Sequence, residues 1–238
     1  MNAKLHRFCF YTACFFLCSF ANLGVVCRAA APADDLPLVE IKAADASLPL
    51  ILYLSGDGGY NAFSRGLVTN ISNKGYGVLV LDASKYFWSL KTPQQLASDI
   101  TQLLTKHLAN RTMQQVIVVG YSFGASVIPF MLTRLPHSVS EKVKMAVCIS
   151  PGLFADFEVT LSTLLNKSTG NKNYPVLDEC RKLGSLPCFF LFGKEENAQT
   201  TQSFIDAGTQ VSVLPGSHDY RNDTGTLSRK LVALFAVK

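Results

Sequence analysis

Val116-Ile117-Val118-Val119-Gly120-Tyr121-Ser122-Phe123-Gly124-Ala125 is the stretch on which the reading of this chain turns. Four β-branched residues in a row suit a strand buried on both faces, where stiff side chains pack against their sheet neighbours. They run directly into Gly-x-Ser-x-Gly, and Ala125 to Leu135 continues as a helix-forming run. The five-residue match alone would arise by chance in a chain of this length roughly once in ten, so it carries weight only through its setting. Strand, sharp turn and helix together form the setting that presents a serine as a nucleophile at the end of a strand. Flanking glycines leave room for a strained serine backbone against the next strand and helix. At the helix N-terminus, Ser122 meets a partial positive charge that favours a developing oxyanion. The Phe123 N–H is one expected oxyanion donor.

The flanking sequence alternates between short apolar runs and helical periods. Pro49 to Leu54 reads as a strand ending in Ser55-Gly56-Asp57-Gly58-Gly59, followed by a helix to about Lys74, stopped by Gly75. Tyr76 to Leu81 is the next strand. Pro93 to Leu108 repeats apolar residues at Leu96, Ile100, Leu103, Leu104 and Leu108, the spacing of one helix face. After the serine come strands at Lys144 to Ser150, Leu186 to Phe192 and Thr209 to Leu214, then a closing helix from Leu227 to Val237. Pro151 to about Ser185 reads as irregular. Apolar strands alternating with helices predict an α/β fold, a mostly parallel sheet with helices on both faces, of the α/β-hydrolase type. Such sheets bind ligands at the carboxyl ends of their strands. The Ser55–Gly59 loop lies at one such end, and its Asp57 N–H is the expected second oxyanion donor.

A serine nucleophile needs a base to take its proton and an acid to orient that base. His107 lies on a helix before the serine and His137 just after one, whereas His218 follows the last strand in Leu214-Pro215-Gly216-Ser217-His218. The order serine, acid, histidine along the chain selects His218. The acid is expected after the strand ending at Phe192, where Gly193-Lys194-Glu195-Glu196-Asn197 offers two carboxylates. Spacing from the glycine favours Glu196, with Glu195 and then Asp219 as the other carboxylates in reach.

The chain has 238 residues, 48% of them hydrophobic and 16% charged, enough apolar material for a sizeable core. Residues 1–29 read as a secretory signal peptide: Lys4 and Arg7, an apolar stretch from Phe8 to Val26, then small residues from Ala29. The stretch is close to spanning length, so an uncleaved inner-membrane anchor is the other reading. Residues 30–238 are read as one hydrolase domain. The formal charge of +5 includes Lys4, Arg7 and Arg28, so the remainder is only mildly basic, and no basic–aromatic run points to nucleic acid. Cys180 and Cys188 are close enough in sequence to pair in an oxidising compartment, while Cys148 sits in an apolar strand and reads as a buried thiol. No Cys/His spacing resembles a zinc site, and the chemistry needs neither a metal nor an organic cofactor.

Ser55-Gly56-Asp57-Gly58-Gly59, Tyr86-Phe87-Trp88 with Thr92-Pro93, Gly120 to Ala125, Asp156-Phe157-Glu158 and Gly216-Ser217-His218 together resemble the bacterial virulence protein family of VirJ and AcvB. The resemblance runs from about Leu36 to the end. It implies an α/β-hydrolase fold, a periplasmic location, association with type IV secretion components or effectors, and hydrolysis of aminoacyl-phosphatidylglycerol, notably the lysyl form. Ser122, Glu196 and His218 occupy the matching triad positions. Tyr60 stands where the family usually has Trp, and Asp219-Tyr220 replaces a second His and Phe; both departures flank the site. An aminoacyl ester carries ammonium groups beside its carbonyl, so Asp57, Asp156 and Glu158, with Tyr60, are candidate substrate-binding residues. Tyr86-Phe87-Trp88 is either rim packing or a contact with a membrane surface. Two rival functions remain open on the sequence: a non-catalytic secretion accessory protein, and a general carboxylesterase or thioesterase.

Overall fold

The sequence folds around a sheet whose strands are set by its apolar runs. A computed structural model describes residues 35–160 and 173–237. Among them the strands are β1 (Leu38–Ile41), β2 (Leu50–Leu54), β3 (Val78–Leu81), β4 (Val116–Tyr121), β5 (Val143–Ile149), β6 (Cys188–Gly193) and β7 (Gln210–Leu214). The helices are α1 (Ala62–Ser72), α2 (Ala83–Tyr86), α3 (Pro93–Leu108), α4 (Phe123–Leu132), α5 (His137–Ser140), α6 (Val176–Cys180), α7 (Ala198–Asp206) and α8 (Thr224–Phe235). The strand order is β1-β3-β2-β4-β5-β6-β7, parallel throughout except for β1, which runs antiparallel to β3.

Parallel strands with side chains alternating between faces require apolar cover on both sides. On one face Leu52, Leu54, Val118 and Phe190 pack with Leu96, Ile100, Leu103 and Leu104 of α3 and Val127 and Ile128 of α4. On the other, Ile51, Tyr53, Val119 and Val147 pack with Phe63, Leu67 and Ile71 of α1 and Leu227, Leu231 and Phe235 of α8. Each such fully buried side chain contributes about 1.5–3 kcal/mol by leaving water. α3 begins where expected because Thr92 and Gln95 form a reciprocal capping box with Pro93 just inside the helix.

Because β2, β4, β5, β6 and β7 are parallel, the loops that follow them gather on one edge. Pairing of Leu54 with Gly120, and of Gly120 with Cys148, brings three of those strand ends level. Cys180 and Cys188, which the sequence suggested could pair, are both free thiols. The Cys188 thiol instead meets Cys148, and that contact, followed by burial, pushes the Cys148 thiol up. The segment at 1–29 lies outside the described residues.

Candidate active site

Ser122 follows β4 directly and opens α4 with φ 53° and ψ −113°. A non-glycine residue held there carries about 1–3 kcal/mol of strain, so its surroundings must fix it. The Ser122 N–H donates to Ile149 O at 2.8 Å, and its carbonyl accepts from the Ser126 N–H at 3.0 Å and from Ser126 Oγ at 3.1 Å. A Cβ on Gly120 would stand 2.7 Å from the Ala125 nitrogen, and one on Gly124 would stand 2.5 Å from Leu54 O. Those obstacles are backbone atoms, which explains why both flanking positions are glycine while Tyr121 and Phe123 are not.

His218 is carried by the loop after β7, where Gly216 turns the chain at φ 112°. Its Nε2 lies 2.9 Å from Ser122 Oγ and its Nδ1 lies 3.0 Å from Glu196 Oε2. Tyr121 OH donates to His218 O at 3.2 Å, so the residue before the serine also helps place the histidine. The approach of the two loops is close: a Cβ on Gly193 would stand 2.6 Å from Gly216 O.

Glu196 sits in the turn after β6, its N–H donating to Gly193 O at 3.1 Å. Its Oε1 accepts from the Gly193 N–H and from Ser150 Oγ, the latter at 2.7 Å. Ser150 Oγ in turn lies 2.9 Å from Tyr220 OH, which donates to Leu191 O at 3.1 Å. Burial works to raise the Glu196 pKa, but the bonds from His218, Ser150 and Gly193 outweigh it and hold the carboxyl below its ordinary range. Glu195 pairs with Arg221 at the surface instead. The Asp219 carboxylate is taken up by the Ser217 hydroxyl and the Arg221 N–H. Of the three carboxylates within reach in sequence, Glu196 is the one that meets His218.

A cavity of about 410 Å³ opens above these groups, lined by Ser122, Phe123, Glu196 and His218 and also by Asp57 and Asp156. Phe123 is the first residue of α4, so its N–H is one that the helix leaves without an internal acceptor. The Asp57 loop lies alongside the serine: a Cβ on Gly56 would stand 3.5 Å from Ser122 Cβ, an ordinary van der Waals distance. That loop is fixed from behind, with Ser55 Oγ accepting from the Ala83 N–H at 2.9 Å and Gly59 at φ 69° against Ser84 and Asp82.

Two of the predicted substrate contacts lie elsewhere. Tyr60 packs against the core under α1 and α8, with the Arg65 guanidinium 5.8 Å from its ring, and does not line the cavity. Glu158 is held away because its neighbours Phe157 and Val159 are buried, with the Val159 N–H tied to Phe87 O at 2.7 Å. Tyr86 and Phe87 are likewise core residues, and of that aromatic run Trp88 alone is exposed. Ser150, which donates to Glu196, and Tyr220 behind it are site residues that no motif in the sequence marks. Ser150 did carry one signal: it is a polar residue ending an apolar strand on the ligand-binding edge, as Ser55 and Ser122 do.

A mostly parallel sheet with a strained serine at a central strand–helix turn, and a histidine brought to it from the far end of the chain, defines the α/β-hydrolase fold. The chain belongs to the bacterial virulence protein (VirJ) family, whose model matches residues 49–237. Among solved structures it is similar to Est1E from Butyrivibrio proteoclasticus, at 13% identity over 84% of this chain and 93% of that one, TM-score 0.60. It is also similar to the naproxen esterase of Bacillus subtilis, at 14% identity over 83% of this chain and 87% of that one, TM-score 0.54. A thioesterase domain from the curacin biosynthetic pathway matches at 12% identity over 82% and 94% of the two chains, TM-score 0.56. At these identities the likeness is one of fold. A comparison with curated proteins gives no match.

Proposed function

We propose that this protein is an exported serine esterase that hydrolyses aminoacyl-phosphatidylglycerol, with Ser122 as nucleophile, His218 as base and Glu196 as the acid that orients it. The observation that carries the reading is the line of hydrogen bonds from Ser122 Oγ through both ring nitrogens of His218 to Glu196, 2.9 Å and 3.0 Å long. With the ring proton on Nδ1 shared with Glu196, Nε2 is free to take the Ser122 proton as Oγ attacks the ester carbonyl. The resulting oxyanion is held by the N–H groups of Phe123 and Asp57. His218 then passes its proton to the departing glycerol oxygen, releasing phosphatidylglycerol and leaving the aminoacyl group on Ser122. Water, deprotonated by His218, attacks that ester and frees the amino acid.

The aminoacyl class is supported by family membership and by the two carboxylates, Asp57 and Asp156, that line the cavity. A desolvated ammonium gains most from a carboxylate partner, and Asp57, which lines the cavity while its Oδ1 accepts from the Gly58 N–H at 3.0 Å, is our candidate for that partner. The signal-peptide reading of residues 1–29 supports the periplasmic location, and the family resemblance supports the link to type IV secretion. Purified protein given lysyl-phosphatidylglycerol in mixed micelles should release free lysine, and Ser122→Ala should not. Turnover of a short neutral ester without lysine release would make it a general carboxylesterase. Turnover of neither would favour a binding protein that keeps the triad unused. Asp57→Asn should slow lysyl esters more than neutral ones, and equal effects on both would remove Asp57 from that role.

A further inference from the structure

The α2–α3 connection carries exposed apolar residues at the mouth of the cleft. Trp88, Ser89 and Leu90 are consecutive and exposed, Trp88 at 61% and Leu90 at 67%. Phe87, just before them, is fully buried, and Pro93, just after, is buried at the start of α3. Backbone bonds from Val159 N–H to Phe87 O at 2.7 Å and from Lys91 N–H to Phe157 O at 2.9 Å fasten the loop on both sides. The loop is therefore held in place while its apolar tip faces water, an arrangement that burial alone does not favour. Phe154, 41% exposed, lines the cavity at Ser122.

Cations flank the tip. The Lys85 side chain is 73% exposed, its Nζ 3.6 Å from Asp82 Oδ2, and Lys91 Nζ stands 5.0 Å from the centroid of the Tyr86 ring. Trp88 and Lys85 also wall a second hollow of about 470 Å³ whose inner side is Asp57 and Gly58. Asp57 borders the Ser122 cavity as well, so the two hollows adjoin across the oxyanion loop.

We propose that the Trp88-Ser89-Leu90 tip, with Lys85 and Lys91, docks the cleft mouth on an anionic phospholipid surface. The hollow beside Trp88 then receives the phosphoglycerol headgroup while the ester carbonyl lies at Ser122. An indole and a leucine at the headgroup level, with lysines beside them, match the chemistry of that surface: an apolar interior under a negative face. The inference deepens the proposed lipid-ester activity and rests on it for the headgroup's identity. Docking itself can be measured separately.

Trp88 is the chain's one tryptophan, so its emission reports this tip alone, whatever the apolar stretch at 8–26 does. The exported protein is titrated with phosphatidylglycerol vesicles and, in parallel, with phosphatidylcholine vesicles. The emission should shift to the blue on phosphatidylglycerol and be quenched by brominated acyl chains there, with little change on phosphatidylcholine. Leu90→Ser should weaken the vesicle titration about tenfold, and Lys91→Gln about fivefold, one lysine's share near such a surface. Both should leave turnover of a short water-soluble ester unchanged. Unshifted Trp88 emission on phosphatidylglycerol, or an equal shift on phosphatidylcholine, overturns the docking. Soluble-ester turnover with unshifted emission sinks the docking alone. A blue shift in a protein that cleaves no ester upholds the docking and sinks the esterase reading.

Discussion

The two halves of the site are built by different means. The serine half is local in sequence: Gly120, Ser122 and Gly124 lie within one strand–turn–helix, where backbone atoms of β2 and α4 leave the glycines no room for a side chain and Ile149 of β5 ties the Ser122 N–H. The histidine–carboxylate half is assembled from the ends of three strands, with His218 after β7, Glu196 after β6 and Ser150 after β5, joined by hydrogen bonds as well as by the close approach of Gly193 to Gly216. The first tolerates no added atom at its glycines. The second depends in addition on each polar partner of Glu196, since a buried carboxylate left short of donors is costly. Close packing therefore dominates around the serine, and charge and hydrogen bonding dominate around His218 and Glu196.

That contrast can be broken or sharpened by substitution. Ser122→Ala should have the largest effect, lowering turnover of any accepted ester by about 10⁴-fold or more with the fold intact, as seen in steady-state rates and thermal melts. Glu196→Gln should follow at about 10³ to 10⁴-fold in kcat, because His218 loses the partner that sets its tautomer. Its pH signature is distinct. The Glu196 carboxyl is held below its ordinary range, so its contribution to stability is complete above the unfolded value near about 4.3. It is lost as pH falls through the lower folded value. The stability gap between wild type and Glu196→Gln should therefore be widest above about pH 5 and close on acidification. A gap that widens toward acid would contradict the assigned charge state.

Gly124→Ala tests the steric half. The new methyl meets Leu54 O and Ser55 O, both backbone, so it should cost about 3 kcal/mol of stability or more, read by denaturant unfolding. Ser150→Ala removes one of three donors to Glu196 and should slow turnover about tenfold, the worth of one hydrogen bond to a charged group. Glu195→Gln should change the rate less than about twofold, because an exposed pair with Arg221 contributes little; a large loss there would exchange the roles of the two glutamates.

The same division explains what was legible in the sequence. The elbow was readable because its cause is local, with β-branched residues, two glycines and a following helix all in one window. α3 was readable down to its first residue because Thr92, Pro93 and Gln95 spell a helix start. α7 is not legible: in Ala-Gln-Thr-Thr-Gln-Ser-Phe-Ile-Asp only Thr201 and Phe204 are buried, too few to form a period. β1 leaves no clear pattern because Leu38–Ile41 is a four-residue edge strand with Glu40 in it, the kind of short charged edge that avoids further pairing. The choice between Glu195 and Glu196 was open in sequence, since adjacent residues differ only in how the turn aims them. Ser150 and Tyr220 act across strands 46 and 70 residues apart in their contacts, and no local pattern encodes that. Tyr60 and Glu158 were drawn to the site by their motifs, yet the buried residues around them hold them elsewhere.

Covalent labelling reads the reactivity of Ser122 itself. Folded wild-type protein is treated with a fluorophosphonate and digested, and the modified peptide is located by mass. Modification of one residue, Ser122, abolished in Ser122→Ala and sharply slowed in His218→Ala, is the predicted result. A folded protein that takes up no label, or takes it up equally in Ser122→Ala, would contradict the assignment of Ser122 as an activated nucleophile.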